Sequence, residues 1–398
     1  MPHAACIPLA ATIHHMKHRD GILDLVRGVS ALLVMLGHLR AFLFLDRGES
    51  GASGLVANGF YLITGLGHQA VMVFFVLSGY FVGGSVVDGV LAARFSWVRY
   101  GITRLSRLWT VLLPALLLTL VLDVLGTHFS PTAYLGGFGA QFMSGPQPSA
   151  TAAHGWWVLV GNLAFVQTVS VPVYGTNGPL WSLANEFWYY VLFPLAVAGI
   201  ALMIRHRESP FQGPVFAKGL LGLLLAVAIG WWLPAALVGH GVIWLLGVGV
   251  WQVARFERVR RATRNIWWGA AAGGGFLGSL LASKAGHWAG SDWVVGITFA
   301  LWMPALLGAW PRFGWWSRFS TGFSEVSYSL YVMHFPVLFF VVAVMFNGYQ
   351  YAPGIVGYLW FALLASGTLL ISAGFWWVFE RNTTAVRRRA TAMLGQRR

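Results

Sequence analysis

The chain has 398 residues, 57% hydrophobic and only 10% charged, with a mean hydropathy of +0.67 and a formal net charge of +14. Soluble domains carry roughly 25% charged residues, so this composition excludes an ordinary soluble globule and indicates a polytopic membrane protein. The basic excess lies between apolar spans, which is the positive-inside pattern rather than a nucleic-acid footprint, and a single cysteine, Cys6, excludes an intramolecular disulfide and a cysteine-based metal site.

Residues 1–20 hold a short apolar patch followed, not preceded, by basic residues. That order is wrong for a cleaved signal peptide. The segment reads as a disordered cytoplasmic tail, or as a leader upstream of a start at Met16. The first span, 22–44, carries Asp24, Arg27 and His38 in an otherwise apolar run. Eleven helical steps separate Arg27 from His38, so both fall on one face, about 16 Å apart along the axis. Ionisable groups inside a span are costly and usually face a bundle interior or a wet cavity. Asp24, three residues before Arg27, can pair with it on that face. Head-group contact by Arg27 and an interfacial His38 would account for each residue taken alone.

The second span, 60–83, ends in FFVLSGY, where Ser78, Gly79 and Tyr80 interrupt the apolar run. Small residues there suit close helix packing. Next, RLSR sets Arg104 and Arg107 three residues apart, so both guanidiniums leave one helical face. Arginine forks match phosphate oxygens, although a positive-inside cluster has the same composition. Further spans are expected at 108–126, 185–204, 219–237, 240–254, 266–283, 292–310, 322–346 and 355–379.

Residues 155–171 are apolar but marginal in length, and charge decides their topology. If they are re-entrant or interfacial, ten spans remain, and 23 of the 26 Lys and Arg fall on the side of the termini, leaving Arg40, Arg47 and Lys284 opposite. The positive-inside bias selects that topology and puts both termini in the cytoplasm. The connection 127–184 then lies outside. It contains no Lys, Arg, Asp or Glu and is rich in Gly, Pro and Trp. Its aromatics suit a membrane interface and would equally suit stacking on sugars.

In NGPLWSLANEFWYY, at the head of the fourth span, Glu186 is a carboxylate near the helix start, with Trp181 and Ser182 a turn before it. A favourable helix dipole would explain it structurally. In the ninth span, YSLYVMHFP puts His334 about 18 Å deep with Tyr331 one turn below, and Pro336 loosens the backbone beside it. Two intramembrane histidines and a carboxylate thus come from three spans, with an arginine pair at the opposite face. That polarity suits an anionic donor held inside and proton transfer further out.

These pieces resemble the acyltransferase 3 family of integral-membrane acyltransferases, many of them O-acetylases of bacterial surface polysaccharides. The matching elements are LDLVRGVSALLVMLGH at 23–38, FFVLSGY at 74–80, RLSR at 104–107, LWSLANEFWYY at 180–190, YSLYVMHFP at 328–336 and VFER at 378–381. They stand in family order over about 22–382. The resemblance implies a bacterial inner-membrane enzyme using acyl-CoA, usually acetyl-CoA, as donor substrate, with no permanently bound cofactor or metal. The acceptor would be a hydroxyl of a glycan or glycolipid on the far side of the membrane. It implies His38 as the principal catalytic residue and Arg27, Arg104 and Arg107 as donor-side residues. Glu186 and His334 are candidates to orient His38 or stabilise charge, with Asp24, Ser78, Tyr80, Trp181, Ser182 and Tyr331 in support. The SGNH-type domain of some members is absent, which leaves acceptor handling to the membrane unit or to a separate soluble partner.

The expected fold is all-α and polytopic, with about ten transmembrane helices plus one re-entrant or interfacial segment. It forms one membrane domain over 21–382, followed by a basic tail at 383–398. The competing function is a proton-coupled transporter using the buried His and Arg, against which stands the lack of repeat symmetry. A non-enzymatic polysaccharide-assembly scaffold is the third reading.

Overall fold

The computed structural model describes residues 21–51, 53–135, 153–206, 213–286, 290–307 and 314–394. The expected N-terminal tail and the last four residues of the basic tail lie outside the described residues, as does 136–152 of the long connection. Among the described residues the chain is helical apart from loops and two isolated bridges, Phe44 with Tyr351 and Gln167 with Val171. The all-α polytopic class is therefore borne out.

In chain order the helices are α1 (Gly21–Leu43), α2 (Leu55–Thr64), α3 (Gly67–Ser78), a π-turn (Gly79–Gly83), α4 (Gly84–Leu91), α5 (Trp97–Phe129) and α6 (Pro131–Leu135). Then come α7 (Trp156–Leu163), α8 (Leu180–His206), α9 (Gly213–Trp232), α10 (Ala235–Val253), α11 (Glu257–Thr263) and α12 (Ile266–Ala285). The last are α13 (Ser291–Leu306), α14 (Gly314–Phe346), α15 (Ile355–Val378), a 3-10 turn (Glu380–Asn382) and α16 (Thr383–Met393). Seven of the ten expected spans fall within one helix to within a residue of its ends, whereas 60–83 is broken at 65–66, 219–237 runs from α9 across a break into α10, and 292–310 ends beyond α13, with 308–310 outside the described residues. Eight helical stretches are long and apolar enough to cross a bilayer. The other two expected spans are α13, with 16 residues, and α12, with 20 residues rich in Gly and Ala.

Local chemistry sets several boundaries. Ser96 accepts from the Arg99 amide to open α5, and Asn265 accepts from the Trp267 amide to open α12; both satisfy amides that a helix start leaves without partners. The first part of the basic tail is the helix α16.

α1 and α14 form the most extensively packed pair. They meet closely enough that a Cβ on Gly28 would sit 2.3 Å from the Phe323 ring. Contacts fix which ends lie together. Asp24 meets Ser324, Tyr328 meets Leu108, and Asp88 pairs with Arg255 at 3.3 Å. Glu380 meets Ser329. At the opposite end Tyr351 bonds Leu43 and Leu45, and Ser130 bonds Asn347. One end thus gathers Arg27, Arg104, Arg107 and Arg255; we call it the basic end.

The marginal segment is a re-entrant hairpin. α7 has only 8 residues, about 12 Å of helix. His154, just before it, bonds Asp123 of α5, and Leu163, its last residue, bonds Trp109 of α5. Fourteen helical steps separate those two anchors, so the arm descends about 21 Å along α5. Phe165 and Thr168 take positive φ at the tip (58° and 63°). The returning arm is tied to the descending one by buried Asn162, which donates to the Pro172 carbonyl and accepts from the Tyr174 amide. A polar side chain that saturates loop backbone is what permits irregular chain at this depth, where no water would serve.

Candidate active site

His38 and His334 meet across α1 and α14. His38 Nδ1 and His334 Nε2 are 2.9 Å apart, the rings stack at 5.1 Å, and Phe335 closes edge-on against His38 at 4.9 Å. His334 is fully buried and His38 half-buried. The other nitrogen of His334, Nδ1, lies 2.8 Å from the Leu330 carbonyl oxygen. A carbonyl only accepts, so Nδ1 carries the hydrogen. With His334 a neutral imidazole, its Nε2 is then an acceptor, and His38 must donate from Nδ1. The tautomers are therefore ordered along the chain Leu330, His334, His38. What is left at the end is the Nε2 lone pair of His38.

Pro336 shapes this spot. Proline has no N–H, so the Val332 carbonyl four residues earlier loses its helical donor. Asn177 Nδ2, from the loop leading into α8, supplies one at 2.8 Å and also reaches Thr119 at 3.2 Å. Its neighbour Pro179 accepts from the Tyr331 hydroxyl at 3.2 Å, and Tyr331 shares a 2.5 Å hydrogen bond with Ser182. The Tyr331 and His334 rings are 6.1 Å apart. The re-entrant loop thus braces α14 at Tyr331 and Val332, within the turn that precedes the histidine. Asn177 was not among the sequence-predicted site residues.

A cavity opens on the other side of Tyr331 and Ser182. Its walls include Arg27, Arg104, Arg107, Ser78, Glu186 and Tyr190, together with Tyr328 and Tyr331. His38 and His334 are not in its lining; Tyr331 and Ser182 stand between. Arg27 lies over the Phe81 ring at 5.4 Å, and Arg104 over Tyr100 and Tyr190 at 5.5 and 5.6 Å. Arg104 Nε is buried without a hydrogen-bond partner among the described residues, and Arg107 is exposed. A buried guanidinium N–H left unpaired is a donor waiting for an acceptor.

Asp24 and Arg27 do not pair directly as the spacing suggested. Ser324 intervenes, donating to Asp24 at 3.0 Å and accepting from Arg27 at 3.4 Å. Glu186 also departs from its expected setting. α8 begins at Leu180, which moves Glu186 into the second turn, away from the helix-start amides. Its Oε1 accepts from Ser78 at 2.7 Å and from Tyr190, and Ser78 accepts in turn from Trp244 at 3.1 Å. The carboxylate therefore faces the arginine-lined cavity, while His334 alone of the two candidates touches His38. Tyr80 lies buried in the π-turn, its ring edge-on to Phe81 at 5.2 Å. Trp181 packs among His68, Phe75 and His240. Glu380, in the VFER element, accepts from the Ser329 amide and hydroxyl at 3.1 and 2.6 Å.

Two compartments result. One is a cation-rich cavity at the basic end; the other is an imidazole pair beyond its floor. A profile described as an acyltransferase domain matches residues 20–377. Comparisons with curated proteins and with solved structures gave no match.

Proposed function

The chain belongs to the acyltransferase 3 family and is a multi-pass membrane acyltransferase; from that premise we propose that it moves an acetyl group from cytoplasmic acetyl-CoA to a hydroxyl of a cell-envelope or exported glycan. The observation that carries the reading is the ordered pair of histidines, which leaves His38 Nε2 as an oriented acceptor.

Arg104 and Arg107 hold the CoA phosphates at the cavity mouth through charge-assisted bonds, with Arg27 further along the wall. The positive-inside bias makes this end cytoplasmic, in the bacterial inner membrane. The thioester reaches His38 past the Tyr331–Ser182 pair. His38 Nε2 takes the proton of the acceptor hydroxyl as its oxygen bonds the thioester carbon. The C–S bond then breaks, and the CoA thiolate leaves with the proton from His38. Proton and electron pair balance without any further reactant. His334 holds His38 in the working tautomer. Glu186, fixed by Ser78 and Tyr190, offsets part of the arginine charge when the donor is absent.

The test is transfer of labelled acetyl from acetyl-CoA in proteoliposomes or membrane vesicles. His38→Ala is expected to lower turnover by about 10²–10⁴, the span of general-base catalysis, at normal protein levels. Retained acetylation would remove the central claim. Arg104→Ala with Arg107→Ala is expected to raise the KM for acetyl-CoA about tenfold or more, at about 1.5–3 kcal/mol for each charge-assisted bond lost. An unchanged KM would remove the donor assignment.

A further inference from the structure

A second polar cluster lies away from the cavity, at the end opposite the arginines. His68 opens α3, His240 lies in the first turns of α10, and Asp292 in the first turn of α13. Both imidazole Nε2 atoms converge on the one carboxylate, His68 at 2.9 Å to each oxygen and His240 at 3.3 Å. Trp181 lies against them, with its ring 6.3 Å from His68 and 5.7 Å from His240. Three helices from distant parts of the chain thus bring two histidines and an aspartate to one tryptophan. Membrane-interface tryptophans of this protein look different. Trp231 and Trp156 are 92% and 77% exposed, whereas Trp181 is half-buried.

The hydrogen-bond inventory states what would bind here. An ionised carboxylate accepts only, so each histidine donates to it from Nε2. In the neutral imidazoles Nδ1 is then an acceptor. His240 Nδ1 is buried and has no partner among the described residues. It and the remaining lone pairs of Asp292 present acceptors beside an indole ring. Such a set repels anions and asks for a ligand that brings hydroxyl donors on an apolar face.

The cluster also connects to the histidine pair. Trp181 directly precedes Ser182, which is bonded to Tyr331, the neighbour of His334. α1 and α3 approach so closely that a Cβ on Gly37 would lie 3.7 Å from the Gly67 Cα. His38 and His68 each follow one of those glycines and so share a depth. On the acyltransferase reading above, we infer that Trp181, His68, His240 and Asp292 form the acceptor subsite. Its ligand is a neutral, hydroxyl-rich sugar ring, stacked on the indole with its hydroxyls donated to Asp292 and His240.

Binding separates this proposal from the chemistry. The full-length protein in nanodiscs is probed by saturation-transfer NMR with methyl glycosides of glucose, galactose, mannose and rhamnose, without acetyl-CoA. At least one glycoside is expected to bind. Its affinity should fall tenfold or more in Trp181→Ala and in Asp292→Asn, recover in Trp181→Phe, and stay unchanged in Trp231→Ala, all four variants eluting as monodisperse protein. Absence of binding by every neutral glycoside overturns the proposal, as does equal binding by Trp181→Ala or loss of binding in Trp231→Ala. Binding with this mutational pattern, in a protein that transfers no acetyl group, upholds the subsite and refutes the transfer reading instead.

Discussion

At the scale of single residues, the informative feature is the order of donors from Leu330 through His334 to His38. It makes His334 a positioning residue and sets its consequences apart from those of His38. His334→Ala removes the acceptor that holds His38 Nδ1–H, so the His38 ring is free to rotate and to adopt the other tautomer. Turnover should fall, but by less than in His38→Ala, and the KM for acetyl-CoA should not move. His334→Gln keeps an acceptor and should recover part of the loss. Steady-state kinetics on the three variants checks this; equal turnover of His334→Ala and wild type would discard the positioning role. Arg27 and His38 were legible as a pair because eleven helical steps return to one face, a period the sequence carries directly. Which of the two candidates, Glu186 or His334, reaches His38 was not, since it depends on which helices pack together across a sequence separation of 296.

At the scale of elements, the NGP loop and α14 illustrate a half-legible contact. Pro336 dictates from sequence alone that the Val332 carbonyl lacks its helical donor. It does not dictate which residue supplies one, and Asn177 does so from the re-entrant segment. Asn177→Ala should destabilise the protein by about 1–3 kcal/mol, the cost of a buried unsatisfied acceptor. Pro336→Ala returns an N–H to the helix, so in that background the Asn177→Ala penalty should shrink. Thermal unfolding of both single variants and the double variant in one detergent measures the coupling; strictly additive shifts would show that the loop does not support α14. The sequence marks an interruption at Ser78, Gly79 and Tyr80 in the second span, but small residues there read as close helix packing and do not specify the π-turn at Gly79–Gly83. A π-turn adds a residue to the helical register, and here it follows Ser78 and carries Phe81 under Arg27.

At the scale of the whole molecule, the helices sort basic clusters from the re-entrant hairpin and so give the bundle a direction. The charge count anticipated that direction because Lys and Arg lie in connections, which every topology must place on one side or the other. In a Cys6→Ser background, Ala392→Cys and Gly48→Cys should react with a membrane-impermeant maleimide from opposite sides of sealed vesicles; both are exposed and lie toward opposite ends. Labelling from the same side would reverse the proposed topology for one of them. The position of Glu186 shows the limit of reasoning by depth alone. Depth on one axis groups it with the histidines, but a bundle also has an azimuth, and the carboxylate turns toward the arginine-lined cavity.

The junction of α3 with α10 has a consequence for how this protein can change. A Cβ on Gly79 would fall 1.8 Å from the Trp244 carbonyl oxygen, and one on Gly247 would fall 1.9 Å from that of Val76. The obstructing atoms belong to the main chain, so no replacement of Trp244 or Val76 can make room. A suppressor search begun from Gly79→Ala or Gly247→Ala should therefore return revertants to glycine, or changes that pull the helices apart and carry Ser78 with them.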